Sequence, residues 1–209
     1  KNHVAQWTSL RMLEFSNYRF KGRRAPLLAN IPPTLTFLKL RIHSEKDAQL
    51  LLNIISLQTN LEILHLEMSE VKWDMSPMFQ NLTNLQTLYI QTDYLNTLPP
   101  LPLLETFVWK LEDDREVALP ALFYSDWSTH FPSLKRFGMK ENCFGEWADQ
   151  LASVMPTQLT SLYLDFPIDV EPKRFITKLR QMTQLTDLNL GEYFWEEVSM
   201  EERLSCASC

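Results

Sequence analysis

The chain has 209 residues, 45% hydrophobic and 22% charged, with a formal net charge of −6. That balance is ordinary for one water-facing globular unit, and the length suffices for a sizeable core. The acidic balance points away from nucleic acid as a partner, no apolar run has the length of a membrane span, and four glycines argue against Gly-rich phosphate loops.

Taken in order, Lys1 to Trp7 reads as the tail of a segment that returns from an earlier strand. The motif Leu-x-x-Leu-x-Leu then begins at Leu10 (LRMLEF) and recurs at Leu35 (LTFLKL), Leu61 (LEILHL) and Leu85 (LQTLYI). Further copies begin at Leu104 (LETFVW), Leu134 (LKRFGM), Leu159 (LTSLYL) and Leu185 (LTDLNL). The steps between the eight copies are 25, 26, 24, 19, 30, 25 and 26 residues. Residues two apart in a strand share a face, so Leu38 with Leu40, Leu64 with Leu66 and their equivalents point inward. One copy cannot bury its apolar face alone, whereas stacked copies share a continuous core. The expectation is a parallel sheet of about eight short strands.

The chain between strands must return along the other side. Ser44 with Asp47 reads as a capping box before Ala48, Leu51, Leu52 and Ile55 at helical spacing. Ser76-Pro77 places a cap before a proline at the first helical position. The 19-residue step holds Leu98-Pro99-Pro100-Leu101-Pro102, which excludes a helix interior and predicts an extended crossing. The 30-residue step carries a charged insertion, Leu111 to Glu116. Such interruptions often lie on a binding face, and a solvated loop explains this one equally well. Trp147, Leu151, Val154 and Met155 form one apolar stripe, and Phe175, Leu179 and Met182 after Pro172 form another. Both stripes are expected to face the core rather than a cofactor.

Ser199 with Glu202 reads as one more capping box, and the mean step places a ninth Leu just past Cys209. Neither end carries a polar capping unit, so a single repeat domain over 1–209, cut from a longer chain, is expected.

The three cysteines, Cys143, Cys206 and Cys209, form no disulfide framework and fit a reducing compartment. Cys206-Ala-Ser-Cys209 stands without a second pair and reads as part of an interrupted repeat rather than a metal or redox motif. Asn81-Leu82-Thr83 matches a glycosylation acceptor, but the surrounding NLTNLQTL is what a repeat running into its strand looks like. The four histidines are scattered, and no nucleophile elbow, zinc-protease or phosphate-loop motif occurs. Neither enzymatic activity nor a cofactor or metal is expected of this segment. Trp109 takes an inward strand position, while Trp73, Trp127, Trp147 and Trp195 fall in return segments, where exposed Trp would serve as interface anchors.

The register also defines the outward surface. Its central column is Glu14, Lys39, His65, Tyr89, Val108, Gly138, Tyr163 and Asn189. One flank runs from Met12, Phe37 and Ile63 through Thr87, Thr106 and Arg136 to Ser161 and Asp187; Phe37 and Ile63 make an exposed apolar pair. The other runs from Ser16, Arg41 and Glu67 through Gln91, Lys110 and Lys140 to Asp165 and Gly191. A rigid sheet lowers the ordering cost of binding. Candidate partner-binding residues are therefore Tyr89 and Tyr163 as anchors, with Lys39, Arg41, His65, Lys110, Arg136 and Lys140 around them, the cations reading acidic groups.

These motifs resemble those of leucine-rich-repeat proteins over nearly the whole chain. The resemblance implies an α/β solenoid, a horseshoe with a concave parallel sheet and mixed helical and extended convex segments. The most regular families carry Asn eight residues after the first Leu. Here those positions are Tyr18, His43, Ser69, Asp93, Glu112, Asn142, Pro167 and Tyr193. Steps of 24 to 26 with such irregular positions, and phrases such as IPPTLTFLKL and MPTQLTSLYL, resemble the repeats of F-box proteins. That resemblance implies an intracellular substrate receptor of a ubiquitin ligase, binding a protein on the concave face. NLTNLQTLYI and FPSLKRF are similar to phrases in intracellular nucleotide-binding immune receptors, whose repeats act as sensors. A third reading makes the repeats a scaffold for an enzyme domain outside the segment.

Overall fold

A computed structural model describes residues 9–15, 31–42, 54–68, 75–92, 95–111, 121–140, 145–165 and 173–191. The strands are β1 (Met12–Phe15), β2 (Phe37–Ile42), β3 (Ile63–Met68), β4 (Thr87–Gln91), β5 (Thr106–Lys110), β6 (Arg136–Lys140), β7 (Ser161–Leu164) and β8 (Asp187–Asn189). They form one open sheet in the order of the chain, with every neighbouring pair parallel. The register matches the motif spacing: Leu38 pairs with Leu64, Leu64 with Leu88, Leu88 with Phe107 and Phe107 with Phe137. The architecture is thus solenoid-like, with one strand per repeat.

One backbone device recurs at each junction. The two amides following the first Leu of a copy donate to one carbonyl of the preceding copy, at 2.8–3.1 Å. Thr36 and Phe37 share the Arg11 carbonyl, Glu62 and Ile63 share Thr36, Gln86 and Thr87 share Glu62, and the series continues to Thr186 and Asp187 on Thr160. A turn precedes it. The amide of the first Leu bonds the carbonyl three residues back, as in Leu85 to Leu82, Leu104 to Leu101, Leu134 to Phe131 and Leu185 to Met182. The residue three before the motif is therefore a further core position, and Leu82, Leu101, Phe131, Pro156 and Met182 are all buried there.

A third element joins these turns. In five copies the residue just before the first Leu sends its side chain to the preceding coil. Asn60 donates to the Pro33 carbonyl at 2.9 Å, Asn84 to Thr59 at 2.9 Å, Ser133 to Pro102 at 2.7 Å and Gln158 to Pro132 at 3.4 Å. Thr34 does the same to Leu10 at 2.8 Å. This polar ladder stands nine residues before the position at which regular families place theirs. That later position falls outside the described residues in all eight copies.

The return segments are α1 (Ser76–Phe79), a 3-10 turn (Ala121–Tyr124), α2 (Trp127–His130), α3 (Gly145–Val154) and α4 (Lys173–Leu179). Both expected stripes face inward: Trp147, Leu151 and Met155 are buried, as are Phe175, Leu179 and Met182. Ile54 and Ile55 are helical and buried, while the capping box at Ser44 and the insertion beyond Leu111 lie outside the described residues. The expected role of Ser76 needs correcting. The N-cap of α1 is Met75, and Ser76 is its first helical residue. The Ser76 hydroxyl donates to the Thr97 carbonyl at 2.8 Å and also meets the Thr97 hydroxyl, so it ties two coils rather than capping one.

Residues 95–100 carry neither helix nor strand, in keeping with the prolines. The longer coil that follows supports this short one: Leu122 donates its amide to the Asn96 carbonyl at 2.9 Å, and Leu101 to His130 at 2.9 Å. Aromatic rings fill the space between them. Phe107, Trp109, Phe123, Trp127, Phe131, Phe137 and Trp147 form one continuous cluster, in which Trp127 meets Phe137 edge-on at 4.9 Å and Trp109 stacks on Trp147 at 5.9 Å. The buried indoles keep their N–H groups bonded, Trp109 to the Thr92 carbonyl at 2.8 Å and Trp127 to Leu122 at 2.9 Å. Trp127 and Trp147 are therefore core, not exposed anchors, while Trp73 and Trp195 lie outside the described residues.

Candidate functional site

Because side chains alternate along each strand, burying the Leu pairs forces the intervening residues to the opposite face. The central column from Glu14 to Asn189 is aligned as read, residue opposite residue across the pairings. All eight candidate binding residues lie on this face.

The face divides into two chemically different halves. On β1–β3, opposite charges meet across strands. Lys39 Nζ reaches Glu14 at 2.7 Å and Arg41 Nε reaches Glu67 at 3.3 Å. The Lys39 pKa is raised, first by its hydrogen bond to Glu14 and then by that carboxylate's charge. Exposed pairs of this kind contribute little to stability, because solvent and salt screen them. Their consequence here is chemical: Lys39 and Arg41 already engage acids of the neighbouring strands. His65 sits between Phe37 and Tyr89, with ring centroids 5.7 and 5.5 Å away. Burial, followed by the charge of Lys39, lowers its pKa. Phe37 and Ile63 are half-buried in this tier; Met12 is the exposed apolar residue, with 65% of its surface accessible.

On β5–β7 the outward residues are Thr106, Val108, Lys110, Arg136, Gly138, Lys140, Ser161 and Tyr163. Three are cations; the strands themselves hold no anion, and Asp165, directly after β7, is the carboxylate in the flank of Lys110 and Lys140. Arg136 Nε donates to the Thr106 hydroxyl at 2.9 Å, and the Lys140 ammonium lies over the Tyr163 ring at 5.2 Å. Neither Arg136 nor Lys140 makes an ion pair among the described residues. The register was legible in the sequence, but the cross-strand pairing of Glu14 with Lys39 and of Arg41 with Glu67 follows only when charges in adjacent repeats are read against each other.

A polar groove of about 490 Å³ runs along the turn end of the first four strands, lined by Arg11, Thr34, Thr36, Asn60, Glu62, Asn84 and Gln86. Thr34, Asn60 and Asn84 are ladder residues committed to backbone carbonyls, which explains the groove as the outside of the ladder. Among the described residues, no three His, Cys, Asp or Glu stand together as metal ligands, and no helix is long and apolar enough to cross a membrane. No protein-family model matches the chain, and no curated protein matches it.

Proposed function

We propose that the chain is a leucine-rich-repeat recognition module that binds a protein partner on the outward face of its sheet. One observation carries this reading: eight consecutive parallel strands, aligned residue by residue, present a single fixed surface with Tyr89 and Tyr163 in its central column. Such a surface loses little conformational freedom on binding, and tyrosines are favoured anchors at interfaces. The repeat steps and the irregular ladder support the substrate-receptor repeats of an intracellular, F-box-type ubiquitin ligase as the particular setting, in which the segment binds rather than catalyses.

The test places a photo-crosslinking amino acid at Gln91, on the sheet face, or at Tyr124, on the return side, in the full-length protein in its own cells. The expected result is one protein crosslinked from Gln91 and not from Tyr124, with a lifetime that lengthens when the proteasome is inhibited. Crosslinking from Tyr124 alone overturns the binding face. A partner whose lifetime does not change overturns the ligase setting.

A further inference from the structure

We infer that the groove along the turn end of the first four strands binds a polyproline-II segment of a partner protein. That segment carries an acidic and a basic side chain three residues apart, the acid on Arg11 and the base on Glu62. The site goes beyond the recognition face proposed above, since it lies at the rim of the sheet and its charges stand outside the outward columns.

On the sheet side, opposite charges in neighbouring coils meet. Glu14 pairs with Lys39, Arg41 with Glu67, and Glu105 with Lys135 at 2.9 Å. Glu105 and Lys135 are the second residues of LETFVW and LKRFGM. The same position in the first four copies holds Arg11, Thr36, Glu62 and Gln86, which line the groove. Here the opposite charges are set one coil too far apart. The Thr36 amide bonds the Arg11 carbonyl and the Glu62 amide bonds the Thr36 carbonyl, so a whole coil separates Arg11 from Glu62. Two strand spacings come to about 9–10 Å. Neither Arg11 nor Glu62 makes an ion pair among the described residues; the Arg11 guanidinium donates to the Thr34 carbonyl at 3.0 Å. The ladder accounts for the wall of the groove and leaves these two charges unexplained.

Charge and spacing select the occupant. A β-strand turns residues three apart to opposite faces. A polyproline-II segment has three residues per turn and a rise of about 3.1 Å, so residues i and i+3 share a side about 9 Å apart. That matches the separation of Arg11 from Glu62. The four coils span about 14 Å, the length of about five such residues. A polyproline-II backbone makes no internal hydrogen bonds, so its polar groups need outside partners. The groove wall offers acceptors in a fixed orientation. Asn60 and Asn84 donate through Nδ2 to the Pro33 and Thr59 carbonyls, which leaves each Oδ1 with no donor among the described residues. Charge-assisted bonds are the stronger kind, and complementary charge suppresses wrong partners.

The probe is the peptide Pro-Glu-Pro-Pro-Lys-Pro, blocked at both ends and titrated at low salt, where exposed charges are least screened. Its controls carry Glu, Lys or Gln at both charged positions. The side-chain amide resonances of Asn60 and Asn84 locate it. The Glu/Lys peptide is expected to shift both, and each control to bind roughly fivefold more weakly, the upper range for one exposed ion pair. Glu62→Lys puts two cations in the groove and is expected to transfer the preference to the double-Glu peptide. Arg11→Glu is expected to transfer it to the double-Lys peptide. A purely structural role for either residue would weaken all four peptides alike. Lys135→Ala, in the same column outside the groove, should change nothing. The inference is overturned if the Glu/Lys peptide binds no better than its controls or leaves Asn60 and Asn84 unshifted. It is overturned equally if a folded Glu62→Lys or Arg11→Glu variant keeps the parent's preference. Crosslinking from Gln91 reads the recognition face separately, so that face stands or falls independently of these results.

Discussion

The Asn84 side chain donates to the Thr59 carbonyl of the preceding coil at 2.9 Å, one coil along from the equivalent bond of Asn60 to Pro33. At Leu103, which occupies the same position and is 45% exposed, an apolar side chain breaks the ladder between Asn84 and Ser133. The ladder therefore offers a matched pair of substitutions. Asn84→Leu is expected to cost about 0.5–1.5 kcal/mol, the net worth of one hydrogen bond. Leu103→Asn should gain a fraction of that by restoring the rung and removing exposed apolar surface. Denaturant titration of both variants checks this. Equal and opposite shifts are not required, but a stabilised Asn84→Leu would show that the rungs contribute nothing.

Leu64 and Trp127 test the core at a regular and an irregular coil. Leu64 is fully buried in β3, flanked in register by Leu38 and Leu88. Its replacement by Ala should cost roughly 2–5 kcal/mol. Trp127→Phe keeps an aromatic ring against Phe107, Phe123, Phe131 and Phe137 but leaves the Leu122 carbonyl without its indole donor. About 1–3 kcal/mol is expected from the lost bond and the smaller ring. Thermal unfolding of each variant measures these losses, and a value near zero for Leu64→Ala contradicts the inward register.

Gln58 occupies the turn position that holds Leu82, Leu101, Phe131 and Met182 elsewhere, and it is 1% exposed. Its Nε2 donates to the Ile54 carbonyl at 3.4 Å, while its buried Oε1 meets no donor among the described residues. A buried polar atom left without a partner costs about 1–3 kcal/mol. Gln58→Met keeps the volume and removes that atom. The variant is expected to unfold at a higher temperature, by about 2–4 °C for each kcal/mol gained in a chain of this size. A lower midpoint would mean that the amide is better satisfied than its geometry indicates.

Asp126 caps α2, accepting bonds from the Ser128 amide at 3.0 Å, the Ser128 hydroxyl at 2.6 Å and the Thr129 hydroxyl at 2.7 Å. These bonds, that of the Ser128 side chain foremost, hold its pKa at about 2, below the ordinary 3.8. A carboxyl depressed by folding stabilises the native state above its unfolded pKa and loses that contribution as pH falls through its folded value. The cap should therefore weaken between about pH 4 and pH 2. Asp126→Asn retains a capping side chain without the charge. Its unfolding midpoint, followed across this window, is expected to fall less steeply than that of the parent.

The strands and the outward columns were legible because alternation at period two repeats identically in eight copies. The ladder was not, because Thr34, Asn60, Asn84, Ser133 and Gln158 share a function without sharing an identity. The signal that could have found it is a short side-chain donor directly before the first Leu. The burial of Trp127 and Trp147 was likewise hidden in their own segments. It was foreshadowed in the strands, since LETFVW and LKRFGM are the copies whose first inward Leu is replaced by Phe, and their rings need aromatic neighbours. Ser76 was misread because capping preference is local, whereas its hydroxyl is claimed by Thr97 of the next coil.

Tyr89 and Tyr163 give the sharpest test of the recognition face. Both stand in the central column, on the side away from the core, in β4 and β7. Tyr89 packs against His65 in the charge-neutralised half, and Tyr163 carries Lys140 in the cationic half. Truncating an interface anchor typically costs about 2 kcal/mol or more of binding, whereas a surface substitution usually changes stability by about 0.5 kcal/mol or less. Tyr89→Ala and Tyr163→Ala are therefore each expected to weaken binding of the partner crosslinked at Gln91 while leaving the unfolding midpoint nearly unchanged. Titration of that partner against both variants makes the measurement. A loss at Tyr163 alone would confine the interface to the cationic half, and unchanged affinity in both would move the partner to the helical side of the solenoid.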